Sequence, residues 1–255
     1  MNDSQKCHFT QMTHSRSLQG SWEEGDVENP VGRAGWVFNT LTNELTVCST
    51  IEVAEGEKAP WHCFEYYVDA AVLLDGVASV CCGAFRWFGR MESVYVPKSV
   101  TSIGAKAFFY CEVLTSITLP NSVKEIGEEA FFFCNALTSI TLPGGVETLG
   151  ANPFLACGRL SEISVVGGGE SLQMVEGVLF HDGMTRIIWC SKEKSGSYEI
   201  PPTVRAIDSH AFKSRKKLTS IAIPDSITKI VSETFEGCSG LESVVIPSSI
   251  TSIGR

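Results

Sequence analysis

The sequence predicts a β-rich solenoid of 23-residue coils, in which short parallel strands alternate with brief helical turns. Prolines recur at this interval of 23 residues in two runs, at Pro97, Pro120 and Pro143 and at Pro201, Pro224 and Pro247. A phenylalanine lies 11 residues after each of these anchors and after Leu74, except the last anchor, giving Phe85, Phe108, Phe131, Phe154, Phe212 and Phe235. One coil of this length cannot bury its own apolar face, so neighbouring coils must stack to form a continuous core.

The strands of one coil can be predicted from residues 120–142. Ile140 and Leu142 alternate with polar residues, as in a strand that buries one face. The proline that follows such a strand cannot donate a ladder hydrogen bond, so it ends the strand and turns the chain. Val123 and Ile126 predict a second short extended segment in the same coil.

The rest of the coil is predicted to contain a helical turn. Phe131 and Cys134 are three residues apart and would share one face of such a turn. In the coil that begins at Pro143, Asn152 and Pro153 form a favourable N-cap and first helical residue.

Equivalent apolar residues of successive coils are expected to lie side by side. One ladder consists of Leu114, Leu137, Leu160, Leu218 and Leu241. A second consists of Ile117, Ile140, Ile163, Ile221 and Val244. A third is β-branched throughout and consists of Val100, Val123, Val146, Val204, Ile227 and Ile250.

The repeat motif resembles a particular class of leucine-rich repeat. The alternation of Leu114, Ile117 and Leu119 is similar to the strand segment of leucine-rich repeats in general. Ser122 and Lys124 stand where the usual repeat would have Asn or Cys and then Leu. The two apolar residues that this chain has instead, followed by Ala-Phe-x-x-Cys, resemble the BspA-like leucine-rich repeat family.

The resemblance covers about residues 36–255, including an N-terminal entry segment and an irregular hairpin insert. It implies a curved protein-binding solenoid, of a kind often found on surface or secreted proteins of bacteria and protists. It implies no catalytic residues.

The chain is expected to have three parts. Residues 1–35 are polar and predict a flexible tail. Residues 36–73 predict an N-terminal β cap, a strand pair rich in aromatic residues that covers the open end of the solenoid. Residues 74–255 predict the repeats, interrupted by an insert at about 166–200 with a hairpin turn at Asp182-Gly183.

The last repeat is incomplete, since the sequence stops partway through a seventh block without a polar cap. An apolar solenoid end left open is prone to association. We therefore expect that further sequence follows, or that the end is covered by a partner or a second copy.

Charge and hydropathy exclude some classes of function. Lys and Arg number 20 against 29 Asp and Glu, which gives a net charge of −9 and argues against nucleic-acid binding. No uninterrupted apolar stretch is long enough to span a bilayer. The N-terminus lacks the apolar segment of a signal peptide, which favours a cytoplasmic location, whereas the family resemblance suggests a surface or secreted one.

Metal, cofactor and catalytic sites are not predicted. Four cysteines occupy the repeat position, where a small buried hydrophobe fits, and no CxxC pair occurs. His62-Cys63 would be a ligand pair without a second pair to complete it. No GxSxG motif occurs, and His181 and His210 are interpreted as exposed turn residues. The glycines at 167–169 lack the lysine and helix of a phosphate loop, so we expect a protein that is not an enzyme.

The candidate partner-binding site is the pair of residues between Phe and Cys in three successive coils. These pairs are Arg86 and Trp87, Phe109 and Tyr110, and Phe132 and Phe133. At least one residue of each pair should face outward, so stacking would align a stripe of aromatic rings, which are frequent in interaction hot spots. The alternative is that the rings fold back onto the core or are covered by residues 1–35.

Two other surfaces are candidates. Ser116, Thr118, Ser139, Thr141 and Ser220 predict a flat, solvated sheet face, although repeat proteins also bind partners there. Lys213, Arg215, Lys216 and Lys217 form a basic turn, for which an acidic partner is the alternative to solvation. The sequence thus favours a non-catalytic protein–protein interaction scaffold. The alternative is a surface or secreted adhesin or antigen whose signal peptide is missing from this chain.

Overall fold

The structure is a computed structural model that describes residues 35–39, 41–50, 53, 57–167, 169 and 171–255. The predicted tail, apart from Gly35, lies outside the described residues. The described chain is a solenoid of short strands with one 3₁₀ helix over Pro60–Phe64, so the predicted fold class is confirmed.

The first coils carry two strands each. The cap and the first repeats form a sheet of β1 (Trp36–Asn39), β2 (Glu44–Val47), β3 (Ala70–Leu73) and β5 (Ser93–Tyr95). Strand β1 is antiparallel to β2, and the other pairs are parallel. The second sheet consists of β4 (Ser79–Val80), β6 (Ser102–Ile103), β8 (Glu125–Ile126) and β10 (Thr148–Leu149). The third consists of β7 (Ser116–Thr118), β9 (Ser139–Pro143) and β11 (Glu162–Val166).

The C-terminal part repeats this arrangement after an insert. The insert strands and the next coil form a sheet of β12 (Leu172–Val175), β13 (Val178–His181), β14 (Arg186–Cys190) and β16 (Ala206–Ile207). A further sheet contains β15 (Gly196–Glu199), β17 (Leu218–Ala222) and β19 (Ser243–Val245). The last pair is β18 (Lys229–Ile230) and β20 (Ser252–Ile253).

The register of the parallel pairs confirms the second predicted ladder. Ile117 lies opposite Ile140, which lies opposite Ile163, and Ile221 lies opposite Val244. Inside the coils, the rings of Phe85, Phe108, Phe131 and Phe154 are stacked, with successive centroids 5.4, 5.3 and 5.7 Å apart. The 23-residue period therefore places equivalent side chains in contact.

The segment predicted as a helical turn is instead a series of hydrogen-bonded turns. Alternate N–H groups donate within the coil and to the next coil: Ala107 N–H donates to Gly104 O at 3.3 Å, and Phe108 N–H to Ala130 O at 2.8 Å. Asn152 has a φ of 51°, so it is not the predicted N-cap, which needs an extended backbone. We call this side of the solenoid the turn face.

The insert hairpin separates two hydrophobic cores. Strands β13 and β14 are antiparallel and buried on both faces. Leu179 packs into the core of the N-terminal coils, whereas the adjacent Phe180 packs into the core of the C-terminal coils. Because neighbouring residues of a strand point to opposite faces, the hairpin is a partition between the cores. Its connection is a four-residue loop rather than a two-residue turn.

Arg186 fastens the insert to the coils on both sides. Its guanidinium donates to both carboxylate oxygens of Asp208, at 2.7 and 2.8 Å, and to Leu149 O at 3.0 Å. Strand β14 is also parallel to β16 and therefore continues the solenoid.

Valine and isoleucine side chains are exposed at the last coil, where Val245 and Ile253 are 62% and 60% accessible. The expectation that a partner or a second copy covers this edge stays a prediction. Within the described ranges, no helix has the length and hydropathy needed to cross a bilayer.

Candidate binding surface

The six candidate residues lie together on the turn face, and we call them the outer aromatic ladder. Arg86 and Trp87 are exposed, with Trp87 42% accessible. The aromatic pairs of the next two coils are half-buried. The members are Arg86, Trp87, Phe109, Tyr110, Phe132 and Phe133.

Ring contacts run without interruption across the three coils. The ring of Tyr110 is 4.1 Å from that of Trp87 and 4.3 Å from that of Phe133, measured between centroids. In the parallel row, the rings of Phe109 and Phe132 are 4.7 Å apart and inclined by only 11°. The two rows therefore form one continuous aromatic surface.

The guanidinium group of Arg86 packs against the rings at the N-terminal end of the ladder. The guanidinium carbon of Arg86 lies 5.1 Å from the centroid of Phe109 and 5.7 Å from that of Trp87. The ammonium of Lys106 lies 5.9 Å from the same Phe109 ring. These are cation–π distances, so the arginine belongs to the aromatic surface.

The backbone under one row of the ladder is strained. Trp87, Tyr110 and Phe133 have φ values of 70°, 61° and 58°, in the left-handed region. A residue with a Cβ is disfavoured there by roughly 1–2 kcal/mol, whereas glycine is not. Gly237 occupies the equivalent position of a later coil, with a φ of 70°. Ala156 and Ser214 have the same left-handed backbone in coils without rings, with φ values of 61° and 58°, so this conformation belongs to the turn of the repeat rather than to the rings.

The alternative in which residues 1–35 cover the rings concerns a segment outside the described residues. The other alternative is that the rings fold back onto the core. Trp87 is exposed, whereas the other four rings are half-buried and contact one another along the ladder. The later pairs, Leu155-Ala156 and Lys213-Ser214, add no ring to the surface.

Neither of the two histidines interpreted as exposed turn residues is exposed; His210 lies in a turn but is half-buried. His181 is buried, at 3% accessibility, because it ends a strand that is covered on both faces; the interpretation as an exposed turn residue was wrong. Its Nδ1 lies 2.7 Å from a carboxylate oxygen of Asp182. Both ring nitrogens of His62 are also engaged, by Glu65 at 3.2 Å and by the carbonyl of Gly83 at 2.8 Å, which leaves none for a metal.

One group has the composition of a metal site. His210, Glu233 and Glu236 present atoms within 4.8 Å of one another. However, the Lys213 ammonium already lies 2.6 Å from Glu236 and 3.5 Å from Glu233. Hydrogen bonding and attraction to Glu236 raise the pKa of Lys213, and the hydrogen bond to His210 lowers that of Glu233. The cluster is therefore an ion-pair network in which lysine supplies the cation.

The other predicted surfaces are less distinctive. Ser116 and Thr118 are exposed on the sheet face, and the hydroxyl of Ser220 donates to that of Ser197 at 2.7 Å. The nine described cysteines are free thiols. In the glycine segment 167–170, Gly168 and Glu170 lie outside the described residues.

The sequence matches a family model described as the BspA type leucine rich repeat region, in 6 copies over residues 71–183 and 188–255. No curated protein matches the chain.

Among solved structures, the chain is similar to a leucine-rich repeat protein from Eubacterium ventriosum, with 23% identity and a TM-score of 0.69 over 87% of this chain and 66% of that chain. It is also similar to the pneumococcal vaccine antigen PcpA, with 20% identity and a TM-score of 0.61 over 84% of this chain and 74% of that chain. This chain thus spans slightly less than two thirds of the first structure. At these identities the likeness shows a shared fold.

Proposed function

We propose that the solenoid is a non-catalytic scaffold for protein–protein interaction, because the chain belongs to the family of BspA-type leucine-rich repeat proteins. The outer aromatic ladder is the surface that contacts the partner. Family membership supports the scaffold role, and the physical character of the ladder supports the choice of surface.

A rigid, apolar surface suits this role. The backbone under the ladder is fixed by hydrogen bonds between coils, such as Tyr110 N–H to Phe132 O at 2.8 Å and Phe133 N–H to Leu155 O at 2.9 Å. Little conformational entropy is therefore lost when a partner docks. Trp, Tyr and Arg, which dominate binding hot spots, are present together in Arg86, Trp87 and Tyr110.

The observation that carries the proposal is the continuous ring surface, which is partly accessible to solvent. Packing between coils does not require it, because the inner Phe stack continues to Phe154 while the outer row ends at Leu155 and Ala156.

The experiment replaces Trp87, Tyr110 and Phe133 together by asparagine, which tolerates the left-handed backbone. Affinity capture from extracts of the source cells compares this variant with the unmodified chain and with Ser214→Asn, the same change in a coil without rings. We expect the triple variant to lose the captured partner while its melting temperature stays within a few degrees. Equal capture by all three proteins would refute the proposal.

A second candidate function is a surface adhesin or antigen. The PcpA structure, which shares the fold, is that of a vaccine antigen. Mild protease treatment of intact source cells tests this candidate, because a surface protein would be cleaved before a cytosolic marker. Protection of the chain in intact cells would exclude it.

A further inference from the structure

A cleft opens in the turn face where the insert interrupts the repeats. It has a volume of about 450 Å³, within the usual range of ligand sites. One wall is formed by the coil of Phe154 and Ala156, and the other by the coil of Lys213 and Arg215. We call it the gap cleft.

The gap cleft lies where one turn segment is shortened. In each of the three preceding coils, twelve residues connect the second strand of that coil to the first strand of the next coil. These segments are residues 104–115, 127–138 and 150–161. In the insert, Ile187 pairs with Ile207 and Ser197 with Ser220, so nine residues, 188–196, make the connection that takes twelve, 208–219, in the next coil. The shorter link leaves part of the turn face open.

The shortened turn leaves hydrogen-bond donors of the preceding coil without acceptors. One coil earlier, Phe131 N–H donates to Pro153 O and Phe133 N–H to Leu155 O, both at 2.9 Å. The equivalent N–H groups of Phe154 and Ala156 have no acceptor among the described residues. Both residues line the cleft, so this wall presents an unfilled row of backbone donors.

The acceptors on the opposite wall are largely occupied. Ala211 O accepts from Cys190 N–H at 2.9 Å, and Lys213 O accepts from Arg215 Nη1 at 2.5 Å. The cleft therefore offers a ligand more free hydrogen-bond donors than acceptors, and it favours ligands with oxygen atoms that accept hydrogen bonds.

The rim of the cleft is basic although the protein is acidic overall. Five of its lining residues are cationic and one, Glu193, is anionic, in a chain of net charge −9. Glu193 forms an ion pair with Lys217, and Lys213 forms one with Glu236. The cationic lining residues are Lys192, Lys213, Arg215, Lys216 and Lys217.

Arg215 carries a charge that no carboxylate balances within the described part of the chain. Its Nε donates to Cys190 O, and its guanidinium carbon lies 5.5 Å from the centroid of Trp189. Burial lowers the pKa of Arg215, which means that its charge is held in a poorly solvated place. An anion beside it would be favourable.

Apolar surface lies beneath these cations. Phe154, Leu160 and Trp189 contribute to the lining of the same cleft. A ligand that matches the gap cleft thus needs backbone-like acceptors, negative charge and an apolar side chain, which is the composition of an extended acidic peptide with an aromatic residue.

We propose that the gap cleft binds an extended acidic segment of a partner protein, anchored by an aromatic side chain. The carbonyl groups of the segment accept from the N–H groups of Phe154 and Ala156, in place of the acceptors that the shortened turn does not supply. Its carboxylates approach Lys192, Arg215 and Lys216, and its ring rests on the apolar floor. The outer aromatic ladder is not needed for this binding.

The test uses a fluorescently labelled synthetic peptide in which one Trp is flanked on each side by Glu pairs, and fluorescence anisotropy with the full chain. We expect saturable binding that weakens as salt is raised, because the attraction is electrostatic. Peptides with Gln for every Glu, or with Ala for the Trp, bind at least about tenfold more weakly. Absence of saturable binding by the first peptide overturns the proposal.

Two variants locate the peptide. Lys216→Glu weakens binding about tenfold or more, whereas Lys98→Glu, an equal charge change on an exposed residue outside the cleft, leaves it nearly unchanged. Ala156→Phe fills the cleft and abolishes binding. That backbone accepts a phenylalanine, since Phe133 has a φ of 58° and Ala156 one of 61°.

Melting temperatures close to that of the unmodified chain show that the variants are folded. Undiminished binding to a folded Ala156→Phe protein contradicts the proposal, as does displacement of the peptide by inorganic phosphate at equal concentration. The asparagine triple variant of the outer aromatic ladder should bind the peptide normally. This control separates failure of the gap cleft from failure of the proposed scaffold surface.

Discussion

The thiol of each repeat cysteine does more than fill space in the core. It donates a hydrogen bond to the carbonyl of a phenylalanine 26 residues earlier, in the preceding coil. The pairs are Cys111 with Phe85, Cys134 with Phe108, Cys157 with Phe131, and Cys238 with Phe212. A small side chain that is both apolar and a weak donor suits this position, which explains its recurrence.

These cysteines are predicted to be unreactive in the folded protein. Burial raises the pKa of Cys111, and a hydrogen bond with Cys157 together with burial raises that of Cys134. Since the thiolate is the nucleophile, iodoacetamide at pH 8 should modify the exposed Cys82 and spare Cys111 and Cys134 until the chain is unfolded. Peptide mass spectrometry measures this, and modification of Cys134 as fast as Cys82 would contradict it.

At the level of the element, glycines set how closely the coils stack. A Cβ added to Gly127 would lie 2.3 Å from Ala105 N of the preceding coil, and one added to Gly150 would lie 2.2 Å from Glu128 N. Side chains never approach backbone so closely, so these glycines are required by the spacing of the solenoid.

Gly127→Ala should therefore destabilise the protein by about 2–3 kcal/mol, since the two coils must move apart. Gly89→Ala is the matched control, because a Cβ there meets nothing within 4 Å; its effect should stay within about 0.5 kcal/mol. Denaturant unfolding of both variants measures the difference, and equal stabilities would be inconsistent with this packing.

The hairpin also makes a prediction at this level, since it separates two cores. Leu179→Ala removes a side chain from the N-terminal core and Phe180→Ala removes one from the C-terminal core. The expected losses of stability are about 2–5 and about 3–5 kcal/mol. Because repeat proteins unfold as coupled local units, each variant should lose amide protection mainly on its own side. Hydrogen exchange with mass spectrometry tests this, and identical patterns of loss would rule it out.

Across the whole molecule, the features that follow from the 23-residue period could be predicted from the sequence, whereas the features that depend on backbone conformation could not. Prolines and apolar ladders repeat every 23 residues, so the strands and the register of Ile117 on Ile140 follow directly. The left-handed backbone at Tyr110 could not be predicted, because an aromatic residue gives no sign of a positive φ. The hydropathy of Val178–His181 does not show that both of its faces are covered.

The candidate surface was predictable to the same extent. Stacking of equivalent positions predicts that the rings of successive coils meet, as those of Phe109 and Phe132 do. The gap cleft was not predictable, because it depends on how the shortened link 188–196 crosses the turn face. The basic turn containing Lys213 and Lys216 was visible in the sequence, whereas the donor wall that faces it was not.

The central claim is that this solenoid recognises a partner through its outer aromatic ladder. Hydroxyl-radical footprinting of the captured complex tests it most directly, since aromatic side chains report their own exposure. We predict protection of Trp87 and Tyr110 on binding, with no change at Tyr66 and Tyr95, which are 70% and 59% accessible elsewhere on the solenoid. Unaltered oxidation of Trp87 and Tyr110 in the complex would contradict the claim.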